Sequence, residues 1–317
     1  MPRSTQTAAV AGRTLTFSNL EKVLWPRDGY TKGDLIAYYR GVARWLIPHL
    51  RDRPLTLQRW PDGIDEPSFF EKKAPRFTPD WIPTVSLAAD ESSREVAYLL
   101  CNDEAALAWC ANLAAITLHV WYSRVPTTDS PDYALFDLDT CERTTTGTLA
   151  SVALAFRESL AEIGLPSLVK TSGGSGLHVV IPLETGYSYE TVRALAEITV
   201  RQVAARLPHL TTMERAVTKR PPVAVYLDYA QIGRGKTVVP PYVVRARDRA
   251  PVSMPLDWAE LEELRGKRTR PQALAAQWTI ANARKRLEAD GDRWSGRTWK
   301  RARLETALRK AQRAWAG

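Results

Sequence analysis

The sequence predicts an α/β fold of two lobes followed by a basic helical tail. Apolar segments switch along the chain between a period of two and a helical period. No low-complexity linker or internal repeat divides them, and 317 residues supply ample material for a buried core. Hydrophobic residues make up 44% and charged residues 25% of the chain, which excludes a disordered or collagen-like protein. No run of about 18 apolar residues exists to cross a membrane. The opening MPRSTQTAAVAGRT is too short and polar for a secretory signal. Cys101, Cys110 and Cys141 show no CxxC or Cys/His spacing, which argues against a disulfide scaffold or zinc ribbon and makes the reducing cytoplasm the expected compartment.

In chain order, residues 1–14 read as a loosely ordered start, 15–260 as a catalytic domain, and 261–317 as a basic helical extension packed on or following it. From Leu15 to Pro48 a short strand and a loop lead into a helix. Thr31 and Asp34 resemble a capping box, and Leu35, Tyr38, Tyr39, Val42 and Trp45 recur at helical spacing until Pro48 ends it. The segment from Pro54 to Pro83 reads as short strands and turns, with Phe69, Phe70, Phe77 and Trp81 needing burial or a stacking partner. Val96 to His119 is apolar and expected to be helical. Tyr133-Ala-Leu-Phe-Asp-Leu-Asp139 then alternates as a buried strand. A helix over Leu149–Ile163 stops at Gly164 and Pro166. Two short strands flank TSGGSG, a helix covers Tyr189–Leu207, Val223–Asp228 is a strand, and Thr237–Arg247 reads as extended. Pro240 and Pro241 exclude a central strand there.

The net charge is +9, and of 44 basic residues 33 are arginine. Arginine's planar fork suits phosphate, so a polyanionic partner is one reading and a GC-rich genome the other. The tail from Asn282 to Gly317 holds 11 basic and 4 acidic residues.

Three motifs could carry chemistry. Asp137-Leu-Asp139 ends an apolar strand, and side chains at i and i+2 share a face, so both carboxylates converge. Such hard oxygen donors suit Mg²⁺ or Mn²⁺; a solvated strand end is the bland alternative. Lys170-Thr-Ser-Gly-Gly-Ser-Gly-Leu-His178 is a Gly/Ser-rich turn that could present N–H groups, the Ser172 and Ser175 hydroxyls and His178 to an anion, or else a flexible hairpin. It is neither a Walker A loop nor a dinucleotide fingerprint. Tyr226-Leu-Asp228 puts a carboxylate on another strand end, followed by Gln231, Lys236, Arg245 and Arg247. The two arginines share a face if that segment is extended, as a metal-bound triphosphate would need.

These blocks, in this order, resemble the polymerase domain of bacterial DNA ligase D, of the archaeo-eukaryotic primase superfamily. The resemblance is carried by LTFSNLEKVLWPRDGYTKGDLIAYY, RWPDG with FFEKKAP, FDLD, TSGGSGLHVVIPL, DYAQIGRGKTVVPPYVVRAR and PLDW. It implies a catalytic palm like an RNA-recognition fold packed against a second α/β lobe. Asp137, Asp139 and Asp228 match the family's metal-binding carboxylates. His119, Ser172, His178, Arg245 and Arg247 match residues around the incoming nucleotide's sugar and triphosphate. Asn19, Lys22 and Lys32 match a pocket for the downstream 5′-phosphate of a gap, where the start of the helix after Thr31 would add N–H groups. Phe69 and Phe70 fall where the family places aromatics against bases or template. Ser175 departs from the basic residue common at its position, and Arg220 is a weak match to another.

The implied activity is template-directed nucleotidyl transfer with two ions, Mn²⁺ or Mg²⁺, preferring NTP over dNTP. It implies short gap filling at double-strand breaks in duplex DNA with a 5′-phosphate, alongside Ku and an ATP-dependent DNA ligase, in the bacterial cytoplasm at the nucleoid. No KxDG-type ligase signature and nothing resembling the family's nuclease domain is present, so a stand-alone polymerase or an excised domain is expected. Three rivals stand beside it: a primase-polymerase of excision repair independent of Ku, a metal-dependent phosphodiesterase, and a DNA-end-binding scaffold without turnover.

Overall fold

The structure is a computed structural model that describes residues 4–88, 94–294 and 300–315. Two compact units interleave along the chain. The first comprises Met1–Pro126, Thr237–Ser253 and Ala276–Asp292; the second comprises Thr127–Lys236, Met254–Ala275 and Arg293–Gly317. No chain break between units falls at residue 15 or 260, and the tail expected as one extension is shared between them. Among the described residues, no helix is long and apolar enough to cross a membrane.

The first unit opens on an antiparallel hairpin, Thr5–Val10 with Arg13–Ser18, where a loosely ordered start was expected. Ala11 and Gly12 both take positive φ, at 48° and 78°, the two-residue turn that matches strand twist. Asn112 clamps the second strand, accepting from Ser18 N at 3.1 Å and donating to the Thr16 carbonyl at 3.2 Å. The helix Lys32–Leu50 begins on the expected capping box: Asp34 N donates to Thr31 Oγ1 at 3.2 Å, and Thr31 N to Asp34 Oδ2 at 2.7 Å. Pro48 does not end it. So near the C-terminus a proline removes only one intrahelical bond, and Arg124 Nη2 donates to the Pro48 carbonyl at 3.2 Å.

The apolar stretch from Val96 is not one helix but the strand Val96–Leu100, the helix Glu104–Asn112 and the strand Ala115–Trp121. Periodicity cannot separate these when a segment is buried all round. Asp103 supplies the break, its Oδ1 accepting from Ala106 N at 2.8 Å as a helix cap. The sheet of this unit runs Thr237–Val238, Ala115–Trp121, Pro54–Arg59, Val96–Leu100, Thr84–Leu87, with Phe69–Glu71 paired on Pro54–Arg59. Helix Ala283–Asp290 packs on Lys32–Leu50. Beyond it, Asp292 accepts from the Tyr242 hydroxyl at 2.5 Å and pairs with His49 Nε2 at 3.0 Å.

The second unit is built on a six-stranded sheet ordered Thr211–Thr212, Val225–Asp228, Tyr133–Thr140, Leu177–Pro182, Leu168–Thr171, Pro255–Leu256. Its four principal strands, numbered by sequence, lie 4-1-3-2 and are antiparallel throughout. Helices Thr146–Glu162 and Tyr189–Arg206 connect them and pack together on one face. This is the split β-α-β arrangement of an RNA-recognition-like palm. Phe136 meets Phe156 of the first helix with ring centroids 4.7 Å apart, so Phe136 and Leu138 face the helices. Asp137 and Asp139 face the other way.

Removing the cap side chain at Thr31 should cost about 1 kcal/mol. Urea unfolding of Thr31→Ala at unchanged m-value checks it; an unchanged midpoint would show the cap to be dispensable.

Candidate active site

The palm places four predicted site residues in one neighbourhood. Antiparallel register sets Asp137 directly opposite Asp228 on one side and His178 on the other. His178 is buried, with Nε2 3.4 Å from Asp137 Oδ1. Asp139, two residues on, lies opposite Tyr226, whose ring carries the Arg220 guanidinium at 3.5 Å. Burial first, and the Asp228 charge second, raise the Tyr226 phenol above its ordinary pKa.

The glycine-rich turn is braced from inside. Ser172 Oγ accepts from Gly174 N at 3.1 Å and Gly176 N at 3.2 Å, while Ser172 N donates to the Gly176 carbonyl at 3.0 Å. Three of the N–H groups expected to face an anion are therefore engaged within the turn. A Cβ on Gly176 would fall 2.5 Å from the Leu138 carbonyl, between the two strand-end carboxylates. The turn thus lies directly against the Asp-Leu-Asp segment, at a distance only glycine allows.

Asp137 and Asp139, with Asp228 abreast, form a hard oxygen donor set of the kind that suits Mg²⁺ or Mn²⁺. Among the described residues, no three such side chains stand close enough as they are to enclose an ion. Asp228 Oδ1 accepts from Ala230 N at 2.8 Å, and Gln231 Nε2 lies 3.4 Å from its other oxygen. Gln231 thus joins the cluster through Asp228. Lys236 is exposed on the following loop, its N–H bonded to the Gly233 carbonyl at 3.1 Å.

The first unit holds the remaining candidates. His119 lies opposite Thr56, with Nε2 3.3 Å from Gln58 Oε1, and the Phe70 ring meets it edge-on at 5.4 Å. Burial, and then the nearby Arg245 charge, lower the His119 pKa to about 3, so the ring is neutral at physiological pH. Phe69 and Phe70 are 44% and 58% exposed, and they border an open depression of about 400 Å³ lined also by Lys72, Lys73 and Arg76. Arg59 lies 5.1 Å from the Phe69 ring and pairs with Glu71 at 2.8 Å.

Arg245 and Arg247 do not share an extended face. The chain turns there, Arg247 N donating to the Arg245 carbonyl at 2.9 Å, and Trp25 Nε1 holds the turn by donating to the Arg247 carbonyl at 3.0 Å. Around Lys22 and Lys32 the structure also revises the expectation. Lys32 is buried, its Nζ donating to the Asn112 carbonyl at 3.1 Å and Ser18 Oγ at 3.3 Å. Lys22 pairs with Asp62 at 2.5 Å. The N–H groups of Lys32, Gly33 and Asp34 are bonded to the Lys22 carbonyl, the Leu20 carbonyl and Thr31 Oγ1, so the helix start presents none of them to an anion. Asn19, at φ 51°, shapes this loop by accepting from Lys22 N at 3.1 Å.

A family model described as LigD, primase-polymerase domain, matches residues 31–294. The chain belongs to this family. The matched span covers every predicted site residue except Asn19 and Lys22. The chain is 36% identical over 257 residues to the multifunctional non-homologous end joining DNA repair protein LigD of Mycobacterium tuberculosis, covering 78% of this chain and 34% of that protein. It is 30% identical over 310 residues to the multifunctional non-homologous end joining protein LigD of Pseudomonas aeruginosa, covering 96% and 35%. It thus spans about a third of the length of the curated relatives it matches. Among solved structures it resembles the polymerase domain from Mycobacterium tuberculosis ligase D in complex with DNA, with TM-score 0.79 and 32% identity, covering 88% of this chain and 96% of that one. Membership of the LigD primase-polymerase family supports nucleotidyltransferase activity and a metal-dependent class of chemistry.

Sequence alone did not mark Gln58, which reaches His119 from the neighbouring strand; strand pairing was the missing information. The lowered His119 pKa has a measurable consequence. Between pH 6.5 and about 3 the unfolded chain binds a proton here that the folded chain does not, so stability falls as pH drops through that window. His119→Gln should remove that one-proton slope, read from urea unfolding midpoints across the range; identical slopes would contradict it.

Proposed function

We propose that this chain is a template-directed nucleotidyltransferase that fills short gaps in broken duplex DNA during non-homologous end joining, with ribonucleotides preferred. The observation that carries it is the alignment of Asp228, Asp137 and His178 on three adjacent strands of the palm, with Asp139 on the same face. The relatives bear end-joining names, and the similar solved structure is of a polymerase domain with DNA.

In this reading Asp137, Asp139 and Asp228 would hold two divalent ions, Mn²⁺ or Mg²⁺, which would supply the lowered pKa of a primer 3′-hydroxyl and positive charge beside a pyrophosphate leaving group. Ala230 N and Gln231 orient Asp228 for that role. Ser172 and His178 orient the triphosphate and sugar, and Gln231, Lys236, Arg245 and Arg247 supply further polar and positive groups. Neutral His119, fixed by Gln58, offers a hydrogen bond without adding charge. Phe69 and Phe70, exposed beside basic residues, stack on bases or template. Asn19 and Lys22 bind the downstream 5′-phosphate, on a loop that buried Lys32 ties to Ser18 and the Asn112 carbonyl. The partners are gapped or broken duplex DNA, NTP or dNTP, Ku and an ATP-dependent DNA ligase, in the cytoplasm at the nucleoid.

Replacing Asp137 by Ala should abolish primer extension on a gapped duplex while DNA binding survives, because binding rests on Lys and Arg contacts with phosphate. Near-normal extension by Asp137→Ala would overturn the assignment; equal extension of ribo- and deoxynucleotides would overturn the preference. The phosphate pocket has its own test. A downstream 5′-phosphate must draw Lys22 away from Asp62, so wild type should bind the phosphorylated gap roughly tenfold tighter than the hydroxyl one, less at high salt. Lys22→Ala, which leaves buried Lys32 in place, should reduce that preference in anisotropy titrations. Equal wild-type affinities would remove the pocket.

A further inference from the structure

Lys170 takes no part in the reading above, yet it is among the largest fully buried side chains, at 1% exposure. It lies on strand Leu168–Thr171 in register with His178, itself in register with Asp137. The palm thus carries one lateral row, Asp228, Asp137, His178, Lys170, with all four side chains on the face away from the helices. Adjacent strands lie about 4.8 Å apart, so Lys170 sits about 10 Å along the row from Asp137. Its Nζ lies 3.4 Å from the Thr171 carbonyl, at the base of the glycine-rich turn. A buried ammonium is costly to hold and is found where negative charge compensates it. Asp137 and Asp228 stand in the same row as Lys170, and Asp139 lies on the same face.

We propose that Lys170 is a positioning residue that serves as the internal counter-cation of the three carboxylates, holding their affinity for divalent ions down until a nucleoside triphosphate adds its own negative charge. The inference rests on the metal-site reading above. A unit charge about 10 Å from a divalent ion, in a medium between protein and water, weakens ion binding by roughly tenfold. Metal loading would therefore be coupled to nucleotide loading, and the empty site would not trap ions.

The test is Mn²⁺ binding to the full chain, read from the electron paramagnetic resonance of free Mn²⁺. It is run without and with a non-hydrolysable nucleoside triphosphate, corrected for Mn²⁺ held by the free nucleotide. Lys170→Met and the second neutral variant Lys170→Gln should bind Mn²⁺ roughly tenfold tighter without nucleotide. Their further gain on adding nucleotide should shrink, and Lys170→Arg should behave as wild type. A merely structural lysine would move none of these. Wild-type protein labelled with ¹⁵N-lysine supplies a measurement independent of variant folding: the Lys170 Nζ resonance should shift with Mg²⁺ at the binding midpoint. An unmoved resonance, or wild-type Mn²⁺ affinity in folded neutral variants, would overturn the proposal. Asp137→Asn separates the failures. If it binds Mn²⁺ as wild type does, the metal-site reading itself fails; if it loses the ion while the Lys170 variants match wild type, only the Lys170 proposal falls.

Discussion

Asp137 is paired on both sides, with Asp228 and with His178, and the palm is arranged around that double pairing. Two carboxylates directly opposite each other across an antiparallel pair repel, so this register is unfavourable on the face away from the helices. What holds it is the other face. Leu138 and Phe136 are buried against the helices, and a slip of one residue would turn them outward and the aspartates into the core. Apolar packing on one side thus enforces a charge arrangement on the other that the charges alone would undo.

The same strand explains the glycine-rich turn. Gly176 is needed because its Cα approaches the Leu138 carbonyl, and Ser172 closes the turn by accepting two of its N–H groups. A turn of this kind is a rigid ledge set against the Asp-Leu-Asp segment.

Much of the palm is legible in the sequence because Asp137 and Asp139 alternate with buried Phe136 and Leu138 at the strand end, and Arg157, Glu158 and Glu162 mark a polar stripe on the helix over Leu149–Ile163. The segment from Val96 hides its strand–helix–strand division because it is buried nearly all round, which erases the periodic signal, and only Asp103 marks the interruption. The hairpin from Thr5 is not legible in the sequence because its strands are short and largely exposed, with order supplied by pairing and by Asn112. Among site residues, the aspartates were readable from i, i+2 spacing. The failure of Arg245 and Arg247 to share a face was not, because a distant tryptophan, Trp25, decides the turn between them. The helix start at Lys32 misled for a related reason: its N–H groups are consumed by the preceding loop, a long-range fact that local capping rules do not contain.

The interleaving of the two units bears on how the chain comes into being on a ribosome. The first unit has most of its sheet once Trp121 has emerged, but Asp292, which ties Tyr242 to His49, is made more than a hundred residues later. The second unit likewise waits for Pro255–Leu256 to flank Leu168–Thr171. Neither can be finished before the other is largely synthesised, so neither corresponds to a cassette that recombination could lift out by two cuts. An insertion or fusion is tolerated only where it leaves both returning segments free to travel back, and that restricts how such a module can be joined to other activities in evolution.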